Sequence, residues 1–311
     1  MIAGWVFLVE DSYLPDSRVT LDVSMRDTAV LLIDCPDQRG LVARVSGLLY
    51  EHGANILHAD QHVDHEQRLF FMRVEWAVDS EAGTGFDLER FNAAFAPLAA
   101  ELSMRWTLTS SARRPRMALF CSHYLHCAAD LLYRWQAGEL ACEIPLIVSN
   151  HNEVEKLAVF YGVPFAYTPV TATTRAEVER QQLELLRQNK IDLVVLARYM
   201  QILSGDFVSQ YPNGIINVHH SFLPAFTGAR PYHAAHARGV KLIGATSHYV
   251  TKVLDDGPII EQDVARISHR DQVEDLVARG RDLERIVLSR AVRWHMDRRI
   301  LCYGNKTVVF D

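Results

Sequence analysis

The sequence lacks the patterns that mark several large classes of protein. Its five cysteines form no CxxC pair, which argues against a zinc ribbon and against a disulfide-stapled secreted domain. No apolar run approaches the length of a membrane span, and the short apolar run near the N-terminus follows no basic residue, unlike a signal peptide. We therefore expect a cytoplasmic protein without a membrane partner.

Basic patches and nucleotide-binding loops are also missing. The formal charge is -6 at pH 7 and the basic residues are scattered, so nucleic acid is not an expected partner. Neither G-x-G-x-x-G nor G-x-x-x-x-G-K-S/T occurs, which argues against a dinucleotide or nucleotide site. The histidines between positions 219 and 248 match no familiar ligand spacing, so no metal is expected.

Regular strand-like and helical patterns begin after residue 25. Residues 1–25 show no clear period and are interpreted as an extension without a function of their own. Residues 26–109 alternate between strand-like and helical patterns in the order strand, helix, strand, strand, helix, strand. The predicted strands are 28–34, 55–63, 68–78 and 104–109, and the predicted helices are 41–53 and 86–102. This βαββαβ order predicts a ferredoxin-like domain.

The turns of this domain resemble those of ACT domains. The resemblance is carried by DQRGL at 37–41 and by GANI at 53–56. It implies an amino-acid effector site, for glycine or methionine, that includes Asp37, Gly40 and Asn55. Gly40 would let the backbone approach a ligand, or it serves only the turn. The resemblance also implies pairing between subunits, hence a homo-oligomer.

A second domain is predicted from residue 117 to residue 311. Residues 110–116 are polar, charged and interrupted by a proline, as in an interdomain linker. After them, short apolar runs alternate with helical patterns, which predicts an α/β domain with a doubly wound, mostly parallel sheet. Ligands of such sheets bind beyond the carboxyl ends of the strands.

Three polar residues in this domain suit acyl chemistry. Asn217 and His219 alternate at the end of a short apolar strand and should point to one face, and Asp255 lies in a later turn. An amide N–H can stabilise an oxyanion, an imidazole can carry a proton, and a carboxylate can orient water or hold the imidazole. Which of His219 and Asp255 carries the proton stays open at this level.

The spacing of these residues resembles that of the folate-dependent formyltransferase family. The matching residues are NVH at 217–219, SFLP at 221–224, Gly228 and LDDGP at 254–258. The resemblance assigns Asn217, His219 and Asp255 to the catalytic positions. It also implies that a loop after a strand and the turn before Asp255 bind the pterin. The substrate-binding residues implied in this way are Arg198, Met200, Gln201, Ile202, Leu203, His220, Gly228, Val253 and Leu254.

Within that family, the chain is similar to formyltetrahydrofolate deformylases. The similarity is carried by HHSFLPAF at 219–226, by GARPYH at 228–233 and by the preceding ACT-like domain. It implies hydrolysis of 10-formyltetrahydrofolate to formate and tetrahydrofolate with no permanently bound cofactor. The alternatives are formyl transfer to an amine such as glycinamide ribonucleotide, and an amino-acid sensor that binds folate without turnover.

Overall fold

The structure is a computed structural model that describes residues 27–78, 86–225 and 231–311. The predicted extension at residues 1–25 and the predicted substrate-binding Gly228 lie outside the described residues. None of the helices in the described ranges combines the length and the apolar composition that a membrane span requires.

The first part of the chain forms a four-stranded antiparallel sheet with two helices. Its elements are β1 (Thr28–Pro36), α1 (Leu41–Glu51), β2 (Asn55–Asp64), β3 (Leu69–Ala77), α2 (Leu88–Glu101) and β4 (Arg105–Ser110). The strand order β2-β3-β1-β4 and the element order confirm the predicted ferredoxin-like plan.

Side-chain alternation gives this sheet two buried faces. Leu31 and Ile33 of β1 face the helices, where they meet Leu41, Val45 and Leu49 of α1 together with aromatic residues of α2. The intervening residues of β1, Val30 and Leu32, point to the opposite face. Apolar residues recur every 2 positions on each face of β1 and about every 3.6 positions in α1, and the buried side chains of the two elements follow the same spacing.

The second part of the chain forms a seven-stranded sheet covered on both faces. Its first half contains β5 (Arg116–Cys121), α3 (His126–Gln136), β6 (Glu143–Ser149), a 3₁₀ turn (Asn152–Val154), α4 (Glu155–Tyr161), β7 (Phe165–Tyr167) and α5 (Arg175–Gln188). Its second half contains β8 (Leu193–Leu196), α6 (Gly205–Ser209), β9 (Ile215–His219), α7 (Pro231–Arg238), β10 (Leu242–Tyr249), β11 (Ile259–Arg266) and α8 (Val273–Met296).

The strand order of this sheet is β11-β10-β9-β8-β5-β6-β7. The five strands from β9 to β7 are parallel, and β10 and β11 add antiparallel pairs at one edge. This arrangement confirms the predicted mostly parallel sheet. The parallel strands end at one edge, so residues that follow them are brought together.

The two faces of this sheet are covered by different helices. One face packs residues such as Leu119, Val195 and Val218 against α3, α4 and α8. The other face packs Phe120 and Leu196 against α5 and α6. We call the face that α8 covers the α8 side and the face that α6 covers the α6 side, and we use the same names for residues that follow the strand ends.

The chain ends in a hairpin that returns to the first sheet. Strands β12 (Ile300–Tyr303) and β13 (Lys306–Val309) pair with each other, and Tyr303 packs on Phe71 with ring centroids 4.6 Å apart. The hairpin thus covers the face of the first sheet that the helices leave free. The predicted division at 110–116 does not anticipate this contact, although β4 ends at Ser110 and β5 begins at Arg116.

Candidate active site

Strand β9 carries two of the three predicted catalytic residues to the edge of the sheet. Asn217 and His219 alternate with Ile216 and Val218, which pack into the core on the α8 side. Strand β10 runs antiparallel to β9, and its register places His248 opposite Asn217. An imidazole that the sequence analysis did not assign to the site therefore adjoins the predicted amide.

Asp255 is brought to this edge by the turn between β10 and β11. Its backbone is left-handed, with φ 54°, a conformation that Asp and Asn tolerate better than most residues. The Oδ1 atom lies 3.3 Å from Nδ1 of His219 and 3.8 Å from Nε2 of His248. Hydrogen bonding to His219 lowers the pKa of Asp255, partly offset by burial, so the carboxylate is ionised at neutral pH.

The contacts of His248 define the orientation of the Asn217 amide. Nδ1 of His248 lies 2.9 Å from the carbonyl oxygen of Tyr249 and donates to it, so Nε2 is the acceptor of the neutral ring. Burial lowers the pKa of His248, which favours this neutral form. Nε2 accepts from Nδ2 of Asn217 at 3.2 Å. The second N–H of that amide remains available to a ligand.

His219 presents one ring nitrogen to Asp255 and the other to the site. Its Nε2 atom is buried and has no hydrogen-bond partner within the described part of the chain. With Nδ1–H directed at the carboxylate, Nε2 carries the lone pair. The ring of His220 stacks on that of His219 at 5.0 Å, and burial, aided by the charge of Arg198, lowers the pKa of His220 to about 4.

Exposed apolar side chains form two walls beside this group. Met200 and Ile202 follow β8 and are 50% and 58% exposed, although apolar residues of this size are usually buried. Val253 and Leu254, in the turn before Asp255, are 61% and 62% exposed. The turn that carries Val253 and Leu254 also approaches the start of α6, because a Cβ atom added to Gly205 would lie 3.6 Å from Cγ of Lys252. Both walls adjoin α6.

The wall after β8 is fixed by polar contacts. The backbone N–H of Met200 donates to the Ser122 hydroxyl at 3.1 Å, and that hydroxyl donates to Oδ1 of Asn150 at 2.6 Å. The N–H of Ser204 donates to Glu179 at 3.0 Å. Gln201 and Leu203 are partly buried between these contacts. These contacts hold the backbone of residues 200–203 in place, so its N–H and C=O groups can bind the polar edge of a flat ring in a ligand.

Arg198 points away from this wall. Its guanidinium lies on the α8 side, where Nε is 3.5 Å from Oε2 of Glu284. His126 contacts the same carboxylate at 2.7 Å, and the Tyr232 hydroxyl donates to it at 2.8 Å. Burial raises the pKa of Glu284, but His126, Arg198 and Tyr232 together outweigh burial and hold the pKa below its ordinary value. The carboxylate is therefore ionised although almost fully buried.

The predicted effector residues do not form one cluster within the chain. Asp37 follows β1, and Gly40 begins α1 with φ 87°. Asn55 pairs with Ala77 of β3, and Ala77 also pairs with Thr28 at the start of β1. Asn55 therefore lies roughly 30 Å from Asp37 along the strand direction. An effector site within one chain can include the turn at Asp37 and Gly40 without Asn55.

Two groups of side chains have the composition of metal ligands. One contains His123, His151 and Glu153, and the other contains His126, Cys127 and Glu284. Neither group includes Asn217, His219 or Asp255, so the acyl chemistry outlined above does not depend on them.

Family models and known proteins match both parts of the chain. The ACT domain model matches residues 29–79, and the formyl transferase model matches residues 115–292. Over 285 residues the chain is 54% identical to the formyltetrahydrofolate deformylase of Synechocystis sp., covering 91% of this chain and 98% of that protein. The chain belongs to the formyltetrahydrofolate deformylase family.

Solved structures agree with this deformylase assignment. The crystal structure of a formyltetrahydrofolate deformylase from Pseudomonas syringae pv. tomato matches with a TM-score of 0.89 and 46% identity, covering 94% of this chain and 97% of that one. A glycinamide ribonucleotide transformylase from Symbiobacterium toebii matches with a TM-score of 0.60 and 28% identity, covering 64% and 95%. The deformylase therefore accounts for far more of this chain than the transformylase does.

Proposed function

We propose that the chain hydrolyses 10-formyltetrahydrofolate to formate and tetrahydrofolate. The observation that carries the proposal is the convergence of Asn217, His219 and Asp255 beside two exposed apolar walls. The deformylase relatives, which match both parts of the chain, support hydrolysis over transfer. Formate released in this way would supply purine synthesis and balance the one-carbon folate pool.

In the proposed reaction, His219 carries the proton. Nε2 of His219 accepts a proton from water as the water oxygen attacks the formyl carbon. Asp255 stabilises the imidazolium through Nδ1, and the free N–H of Asn217 donates to the oxyanion. When the intermediate collapses, the bond from the formyl carbon to N10 breaks and N10 takes the proton from His219. Formate and tetrahydrofolate then leave, and no permanent cofactor is required.

The walls described above are the proposed folate site. The apolar side chains of Met200, Ile202, Val253 and Leu254 would contact the pterin, and the backbone near Gln201 and Leu203 would bind its amide edge. Because the Arg198 guanidinium lies on the opposite side, beside Glu284 of α8, it would not contact the pterin, contrary to the prediction from the sequence. His220 and Gly228 stay predicted substrate-binding residues, and Gly228 lies outside the described residues.

A formate assay without any amine tests the proposal. The pure protein should convert 10-formyltetrahydrofolate into equal amounts of formate and tetrahydrofolate. Asn217→Ala should lower kcat about 10²- to 10³-fold, the usual effect of removing one oxyanion donor. Asn92→Ala, an exposed change on α2, is the control and should have no effect. Formate release only after an amine is added would instead identify a transferase, and substrate binding without turnover would identify a sensor.

We also propose a regulatory and assembly role for the ACT domain. The turn at Asp37 and Gly40 is exposed and would bind an amino acid such as glycine or methionine. Strand β2 is an exposed edge strand that carries Leu57, 52% exposed, so it would pair between subunits of a homo-oligomer. Calorimetry with each amino acid and light scattering test the two roles separately. The free, mostly buried cysteines agree with the cytoplasmic location that we propose.

A further inference from the structure

Water and amines compete for the same electrophilic carbon, so a hydrolase must exclude amines. The proposed folate walls occupy the α6 side of Asn217, His219 and Asp255. A nucleophile must therefore approach the formyl carbon from the remaining direction, along the α8 side. We call the residues there the acceptor-side cluster, which consists of Arg198, Glu284, His126 and Tyr232.

Arg198 is the central residue of this cluster. Its side chain is only 10% exposed, and its carbon Cζ lies 5.2 Å from the centre of the Tyr124 ring. The backbone is left-handed, with φ 64°, which favours glycine, so tertiary contacts must hold an arginine there. A bulky cation is thus built into a position where a small residue would be easier to accommodate.

The cluster adjoins the proposed proton carrier. Glu284 accepts from Tyr232, the ring of Tyr232 lies 6.1 Å from that of His220, and His220 stacks on His219. Nε of Arg198 is buried and has no hydrogen-bond partner in the described ranges, since its 3.5 Å approach to Glu284 is an ion pair only. The buried N–H of Arg198 can therefore donate to a water molecule in the cluster.

We propose that Arg198 is a specificity-determining residue that Glu284 holds on the acceptor side, where it admits water and excludes primary amines. The inference rests on the proposed hydrolytic function. An amine must bring its carbon chain with it and must arrive at neutral pH largely as an ammonium ion. The guanidinium occupies the space for the chain and repels the ammonium.

Removal of Arg198 should open a route to formyl transfer. Without the guanidinium, the buried carboxylate of Glu284 would attract an ammonium group into the vacated space. The ammonium first loses one proton to solvent, and the neutral amine nitrogen then bonds to the formyl carbon. Nε2 of His219 takes a second proton from that nitrogen and gives it to N10 as the bond from the formyl carbon to N10 breaks. The products are an N-formyl amine and tetrahydrofolate, and nothing is oxidised or reduced.

A partition assay tests this inference. Each variant is incubated with 10-formyltetrahydrofolate and glycinamide, and N-formylglycinamide and formate are both measured. The wild type should release formate alone. Arg198→Gly should raise the ratio of N-formylglycinamide to formate at least about tenfold over the wild-type limit, a change of about 1.4 kcal/mol in relative barriers. Arg198→Lys keeps the cation and should resemble the wild type. Arg180→Ala removes an exposed arginine of α5 and is the control.

A double variant protects the test from misfolding. Removing Arg198 alone leaves a buried carboxylate without its cation, whereas R198M/E284Q removes both charges and keeps the volumes. Circular dichroism verifies the fold of each variant. An unchanged ratio in folded Arg198→Gly and in the double variant overturns the inference while wild-type hydrolysis stands. Loss of both products in folded variants also overturns it, because Arg198 would then serve hydrolysis itself. Absence of amine-free formate release from the wild type refutes the proposed function instead.

Discussion

Replacing Asp255 with Asn removes a single charge from the proposed catalytic group and little else. The left-handed backbone at this position favours Asn over most other substitutes, so the turn should keep its shape. The amide retains the volume of the carboxylate and can still contact Nδ1 of His219. The variant therefore isolates the electrostatic contribution of Asp255.

The expected magnitude follows from the geometry. Nδ1 of His219 and Oδ1 of Asp255 are 3.3 Å apart, and Asp255 is 20% exposed. Two full charges at this distance interact by about 5 kcal/mol at an effective dielectric constant of about 20. Proton transfer to His219 is incomplete in the transition state, so roughly 3 kcal/mol should be lost. That loss corresponds to about a 10²-fold decrease in kcat.

Single-turnover formate release measures this decrease without interference from product dissociation. Asp256→Asn makes the same chemical change at the neighbouring, exposed position and should leave the rate unchanged. Because the lost interaction forms with the imidazolium, KM should change little. A D255N rate within threefold of the wild-type rate would show that the charge of Asp255 does not stabilise a protonated His219 during the reaction.

Three further changes test packing and pH dependence. Gly280→Ala should lower both stability and activity, because the added Cβ atom would collide with the Tyr232 hydroxyl. Gly47→Ala in α1 is the control, because its Cβ atom meets open space. Thermal melting compares the stability of the two variants. Burial lowers the pKa of His220 in the folded protein to about 4. The contribution of the neutral ring to the free energy of unfolding should therefore be complete above about pH 6.5 and decrease by roughly 3 kcal/mol as the pH falls to about 4. His220→Gln should flatten that part of a urea-midpoint profile, and an unchanged slope would contradict the assignment. Phe71→Ala should cost about 3–5 kcal/mol of unfolding free energy, measured by urea titration.

Long periodic segments could be predicted from the sequence, and short ones could not. The expected helices at 41–53 and 86–102 appear as Leu41–Glu51 and Leu88–Glu101, because apolar spacing over three turns is hard to mistake. The strand Phe165–Tyr167 and the helix Gly205–Ser209 were missed, since three or five residues do not establish a period. The terminal hairpin was missed because its partner face belongs to a sheet formed by residues over two hundred positions earlier.

The site shows the same limit. Asn217, His219 and Asp255 could be proposed from spacing and resemblance, and the structure brings their side chains together. His248 reaches Asn217 only through the antiparallel register of β9 and β10, which the sequence does not state. Glu284 lies in a long amphipathic helix, where a carboxylate is usually solvated. Its burial depends on Arg198 and His126, which are distant in sequence.

The hairpin of β12 and β13 bears on how the protein is made. The ribosome completes the strands of the first sheet long before it reaches residues 300–309. The apolar face around Phe71 is therefore exposed to solvent while the second domain is synthesised. An apolar surface of that kind is open to chaperones and to unwanted association until residues 300–309 have been synthesised. Phe310 is itself buried in this face, so a fusion joined directly after it would disturb the packing of the hairpin.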